Sequence, residues 1–161
     1  MINNWNETRK NKAYIEKIFA SAKEELVETQ EEFEGIIPAQ QALLDTLDVY
    51  LTNASVSIYD VVFKAGGVQM PVIRNHAWAA VLNSRVELLD YDDLSLLAGM
   101  AEAKRFINFK VERLFDFTYT NLMETHENKK MTFKILFQDV HRDVAGLAPQ
   151  LQELIDEWED K

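Results

Sequence analysis

Residues 133–158 read FKILFQDVHRDVAGLAPQLQELIDEW, and their spacing decides the fold. Phe133, Phe137, Val140, Val144, Leu147, Leu151, Leu154 and Trp158 recur mostly at alternating steps of four and three. That is the period of an apolar stripe on an α-helix, not the strict alternation of a strand. Gly146 and Pro149 fall inside the pattern, so a kink or break is expected near Leu147, with both halves in one register. Just upstream, His126-Glu127-Asn128-Lys129-Lys130 reads as a polar turn. Before it a long helix is expected from about Asp92 to Glu127, with its seam at Leu96, Met100, Ala103, Ile107, Val111, Leu114, Thr118 and Leu122. Phe106, Phe109, Phe115 and Phe117 broaden that seam, and a wide apolar face suggests more than one neighbouring helix.

Further upstream, Ile15, Phe19, Ala22, Leu26, Thr29 and Phe33 form another stripe, on a helix that Gly35 and Pro38 are expected to end. Traced backwards the stripe meets Lys12 and Thr8 before Trp5. Residues 1–12 therefore read as an extension of the first helix, and residues 13–161 as a single helical domain. A second helix fits Ala39 to about Leu51, with Pro38 in its first turn and Leu43, Leu44, Leu47 and Leu51 facing inward. Ser55 to Ile73 is the least helical stretch, either a hairpin around Gly66-Gly67 or an ordered loop. Asn75 then suits the N-cap of a short helix, His76 to Leu82, carrying Trp78. The expected fold is all-α: a bundle of about four main helices with a short irregular or hairpin-like segment around residues 55–73. The chain has enough helices to bury its own stripes, which favours an intrachain core over a dimeric coiled coil.

At 161 residues and 47% hydrophobic content the chain is one domain with material for a real core. The absence of cysteine removes disulfides, thiolate metal sites and thiol nucleophiles. A net charge of −10 argues against nucleic acid as a partner. The charge is uneven: residues 1–23 hold five basic and two acidic side chains, and residues 24–60 hold nine acidic and no basic ones. No apolar run approaches the roughly 18 residues a spanning helix needs.

Templates for chemistry fail for stated reasons. His76, His126 and His141 are far apart, without the H-E-x-x-H or Glu-x-x-His spacing of helical metal sites, so no metal ligand or cofactor is expected. No serine stands in a nucleophile elbow. Asp90-Tyr91-Asp92-Asp93 misses the calcium-loop pattern at Leu94, Ser95 and Ala101, and reads instead as the acidic start of a helix. Gly66-Gly67 lacks the partners of a phosphate loop and reads as a turn. His141 belongs to a helix flank, solvated or locally paired. The adjacent pairs Glu24-Glu25 and Glu31-Glu32 read as solvated surface. No catalytic residue is expected.

Ile2-Asn3-Asn4-Trp5-Asn6-Glu7-Thr8-Arg9-Lys10 resembles the segment that follows the single amino-terminal transmembrane helix in an uncharacterised family of bacterial membrane proteins, where an apolar helix runs into I-N-N-W-N-E. Ala77 to Ser84, followed by Leu88-Leu89 and the Asp-rich helix start, looks like that family's middle region. The resemblance implies an inner-membrane protein whose anchor would precede residue 1. It would place Trp5, Arg9, Lys10 and Lys12 next to the membrane, the ring at the interface and the cations near head groups. It points to a periplasmic domain, with the cytoplasmic face as the alternative, and it implies no reaction or cofactor.

The functional expectation is a non-catalytic, membrane-anchored interaction or assembly module. Its partner would be a second copy or a membrane protein, docking on an exposed seam within residues 15–33 or 133–158. The alternative is a small-ligand sensor with an apolar pocket between helices, lined from Phe106 to Tyr119. An enzyme of unassigned type is the third class.

Overall fold

A computed structural model describes residues 2–77, 79–80 and 91–159, with the side chains of residues 9–77, 79–80, 91–92, 94–95 and 97–156. The fold is an all-α bundle. Helix α1 runs Ile2–Tyr50, α2 Ile58–Lys64, α3 Tyr91–Asn121 and α4 Glu127–Glu159. The described residues contain no strand and no helix long and apolar enough to cross a membrane.

Pro38 does not end the first helix, and the two helices expected on either side of it are one, 49 residues long. Ala22, Leu26, Thr29, Phe33, Gln40, Leu43 and Leu47 are buried and lie in a single 4-and-3 register, with half-buried Ile36 filling the step between Phe33 and Gln40. The stripe passes through Pro38 unbroken because Gly35 and Pro38 lie on the exposed face. There the carbonyl of Glu34, which loses its N–H partner to the proline, is open to water, and core packing outweighs the local penalty. Helix α4 likewise continues through exposed Gly146 and Pro149, so there is no break near Leu147.

Core contacts are intrachain, and α1 and α4 pack antiparallel along the core. Phe33, Leu43, Leu47, Phe133, Phe137, Val140, Val144 and Leu151 are all fully buried. Phe133 and Phe137 stack with ring centroids 6.1 Å apart. Beyond Val144 the buried positions of α4 are Ala148, Leu151 and Ile155, while the expected Leu147 and Leu154 are half-buried. A helix of 3.6 residues per turn drifts away from a strict heptad, which moves the seam by one position. Trp158 lies outside the described side chains.

Residues 55–73 form neither a hairpin nor only a loop. Ser57 caps α2 in a capping box: the Asp60 amide donates to Ser57 Oγ (3.1 Å), and the Ser57 amide and hydroxyl donate to Asp60 Oδ2 (2.8 and 2.6 Å). These bonds hold the Asp60 carboxyl below its ordinary pKa, the hydroxyl contributing most. Gly66 and Gly67 both adopt positive φ (85° and 103°) and close the helix, Gly67 donating to the Val62 carbonyl. The expected structural turn is there.

An extended strap follows, running antiparallel to α1. It has no ladder of its own, so its amides need other acceptors. The Val72 amide donates to Glu32, Arg74 to Thr29 Oγ1 and Ala77 to both oxygens of Glu25. Gln40 donates to the Gln69 carbonyl, and Arg74 pairs with Glu28 at 3.0 Å. Glu25 and Glu32, expected as solvated surface, are therefore acceptors that hold the strap. Asn75 accepts from Lys104 of α3 through its side chain, and its carbonyl accepts from Ala79 at the start of a short helical turn. The rest of the expected His76–Leu82 helix, Trp78 included, lies outside the described residues.

Helix α3 ends at Asn121, not at Glu127. Residues 122–126 connect it to α4, with the Leu122 and Glu124 carbonyls accepting from the Tyr59 and Ile58 amides of α2. Its buried positions are Leu97, Met100, Ile107 and Leu114. Ala103, Val111, Thr118 and Leu122 are half-buried, and Leu96 lies outside the described side chains.

Candidate functional site

The buried polar groups are structural. Lys130, expected in a polar turn, is in the first turn of α4 and fully buried. Its Nζ donates to the Tyr50 and Asn53 carbonyls, both at 2.7 Å, capping the carboxyl end of α1. Burial holds its pKa below the usual lysine value. Gln40, fully buried on α1, accepts from His141 Nδ1 at 3.1 Å while donating to Gln69, which ties α4 and the strap to α1. Since the Gln40 amide nitrogen is committed to Gln69, its oxygen faces the ring and Nδ1 carries the hydrogen. Burial lowers the His141 pKa below 6.5. His141 was expected to be solvated or locally paired on a helix flank; it is half-buried, and its partner is 101 positions away in the sequence.

His76 and His126 are exposed and far from His141 in the chain. Among the described residues no three His, Asp or Glu side chains converge as a metal site would require. Arg9, Lys10 and Lys12 project from α1 and are exposed, Lys12 lying 3.9 Å from Glu16 one turn on. The Trp5 side chain lies outside the described residues.

Neither seam proposed for docking is available along its length. In residues 15–33, Ala22, Leu26, Thr29 and Phe33 are buried, and in residues 133–158 Phe133, Phe137, Val140, Val144 and Leu151 are fully buried. Both stripes face the core because α1 and α4 cover each other.

Apolar side chains are left in water on several elements, Val49, Phe63 and Ile135 among them, and α3 carries the largest group of exposed aromatic rings. Phe106, Phe109 and Phe115 are 56%, 55% and 53% exposed, and Tyr119 is 92% exposed. The broad aromatic face that suggested several neighbouring helices borders α4 on one flank, and these rings lie outside the core. Lys110 Nζ sits 4.6 Å from the centre of the Phe106 ring and Arg113 5.8 Å from that of Phe109. Lys110 also reaches Asp143 of α4 at 2.5 Å, both side chains largely buried, which pins the two helices at this level.

Shallow grooves run beside this face between α3 and α4. One of about 170 Å³ is bounded by Phe106, Phe109, Lys110, Arg113, Leu136 and Asp139. Others, of about 270 and 460 Å³, continue toward Gly146 and then Leu154. They are open troughs; a pocket enclosing a small molecule is not found among them, and the helix from Phe106 to Tyr119 turns aromatic rings outward.

Ser95, Gly99, Glu102, Phe106, Phe109, Arg113, Asp116 and Thr120 are all exposed and follow one another at steps of 4, 3, 4, 3, 4, 3 and 4. That is a complete second seam, roughly opposite the buried one, with two phenylalanines at its centre and charges on either side. Two of the four phenylalanines that broadened the expected seam, Phe106 and Phe109, belong to it, whereas Phe117 packs against the core. Which way they faced depended on where α4 packs.

No protein-family model, curated protein or solved structure matches this chain.

Proposed function

We propose that this chain is a non-catalytic interaction module, held at a bacterial inner membrane through an anchor preceding Trp5, that assembles through the exposed face of α3. The observation that carries the reading is the pair of half-exposed phenylalanines Phe106 and Phe109, neighbours at i and i+3 on α3, on a bundle that buries its other long stripes. Contiguous aromatic surface of this kind costs free energy in water and marks contact sites.

The tether rests on the resemblance of Ile2 to Lys10 to the juxtamembrane segment of single-pass bacterial membrane proteins. Trp5 would lie at the interface, with Arg9, Lys10 and Lys12 at head-group level. The domain then faces the periplasm. Protease treatment of intact and permeabilised spheroplasts, after membrane and soluble fractions are separated, tests this part: cleavage in intact spheroplasts is expected. Recovery in the soluble fraction would remove the tether without touching the assembly reading.

Assembly is tested by crosslinking in cells that express the native chain or the Phe106→Glu/Phe109→Glu variant. Adducts of the native chain that vanish in the variant are expected, and adducts unchanged by it would overturn the reading. The competing small-ligand sensor predicts a saturable rise in melting temperature with one compound class, and a thermal-shift screen is expected to give none.

A further inference from the structure

We infer that the partner of the α3 face is a second copy of this chain, paired antiparallel about a two-fold axis between Ile107 and Asn108. The inference rests on the assembly reading and competes with the tether, because the pairing sends the two amino ends in opposite directions and two copies anchored through them in one membrane cannot form it.

The argument is one of register and charge. In an antiparallel pair of helices, each a position of the seam meets a d position of the other copy. With the axis between residues 107 and 108, Phe106 meets Phe109 of the second copy and Phe109 meets its Phe106, so four half-exposed rings close on one another. One layer outward, Glu102 faces Arg113 of the second copy and Arg113 faces its Glu102. On the flank away from α4, Arg105 lies beside Glu112 of the second copy, and by symmetry the pair occurs twice. Glu102, Arg105, Glu112 and Arg113 are all exposed. The intrachain ion pair of Arg105 with Glu102 is at 4.0 Å with both side chains mostly in water, so it offers little resistance to exchange.

The same layers select against the alternative. A parallel, in-register pair would set Glu102, Arg113 and Asp116 each against its own copy, three like-charge layers around the phenylalanines. A two-fold interface is isologous, so one helix serves both sides and the assembly closes at two copies. Lys110 is already committed to Asp143 and stays out of the pairing.

The pairing has a directional consequence. Helix α1 runs antiparallel to α4, as Asp48 meets Lys134 and Gln40 meets His141. Helix α3 is also antiparallel to α4, as Lys110 meets Asp143. Hence α1 and α3 run the same way, and the two-fold sends the amino ends of the two copies in opposite directions.

Sedimentation velocity and light scattering on the 161-residue chain, from low micromolar to several hundred micromolar, test the inference. A monomer–dimer equilibrium is expected. Glu102→Arg and Arg113→Glu should each weaken it by about tenfold or more, as two interfacial layers turn repulsive in the symmetric pair. The double variant E102R/R113E should return it to within a few fold of the native constant. Circular dichroism and thermal melts of each variant separate loss of pairing from loss of fold, and Glu153→Arg, an exposed change on α4, should leave the equilibrium unchanged. A chain that stays monomeric throughout, or single variants that the double variant does not rescue, would overturn the inference. If adducts in cells are still lost in F106E/F109E while the isolated chain is monomeric, the α3 face serves a different protein and only the self-pairing falls. If F106E/F109E changes neither, both fall.

Discussion

His141 shows how one residue's surroundings set its chemistry. Its folded-state pKa is depressed by burial, so between that value and 6.5 the unfolded chain binds more protons than the folded one. Stability should therefore be level above pH 6.5 and fall as the pH drops from 6.5 through the folded pKa. Urea midpoints at pH 7.5 and pH 5 should separate for the native chain and lie closer together for His141→Gln. Lys130 is the second case. Two carbonyls at the end of α1 accept from its ammonium, and Lys130→Met, which keeps the stem, leaves them only the backbone amides of Asn53 and Val56 at 3.2 Å. A loss of about 1–3 kcal/mol is expected from denaturant unfolding. Neither role was legible in the sequence: a lysine in a polar run and a histidine on a helix flank gain their partners from residues 80 and 101 positions away.

At the scale of the element, the prolines carry the lesson. Gly35 and Pro38 made a helix end reasonable on local grounds, yet the stripe from Ala22 to Leu47 keeps one register across them. The continuous seam was present in the sequence and outranked the punctuation. Because Pro38 is exposed and mid-helix, Pro38→Ala restores an N–H to the Glu34 carbonyl and relieves the ring clash. Stability should rise by roughly 1–3 kcal/mol, read as an increase in melting temperature. The segment at residues 55–73 was open to a hairpin or an ordered loop: the stretch after Gly67 is irregular, while Ser57 and Asp60 already spelled the capping box of the helix before it. The strap at residues 69–77 makes a separate prediction. Its amides rely on side chains of α1, so Glu25→Ala/Thr29→Ala should speed protease cleavage within the strap while α-helical content stays near native, at a cost of about 1 kcal/mol per lost bond.

For the whole molecule, the division between inside and outside decides what the protein has left to work with. Helices α1 and α4 cover each other over most of their length, which spends the two most regular stripes on the core. Phe137, fully buried and stacked on Phe133, stands for that core, and Phe137→Ala should cost about 3–5 kcal/mol in equilibrium unfolding. Phe109→Glu, on the opposite side of the balance, should leave the melting temperature of the monomer close to native, because its ring is more than half in water.

The sequence by itself determined the helical class, the turn at Gly66-Gly67 and most of the residues in the core, because apolar periodicity and turn chemistry are local properties of the chain. Tertiary structure alone decided which stripe faces which. A periodic stripe states that a face is apolar, not what covers it. Only the packing of α1 on α4 buried the seams at residues 15–33 and 133–158, turned the acidic side chains of α1 into acceptors for the strap, and left Phe106 and Phe109 in water on α3.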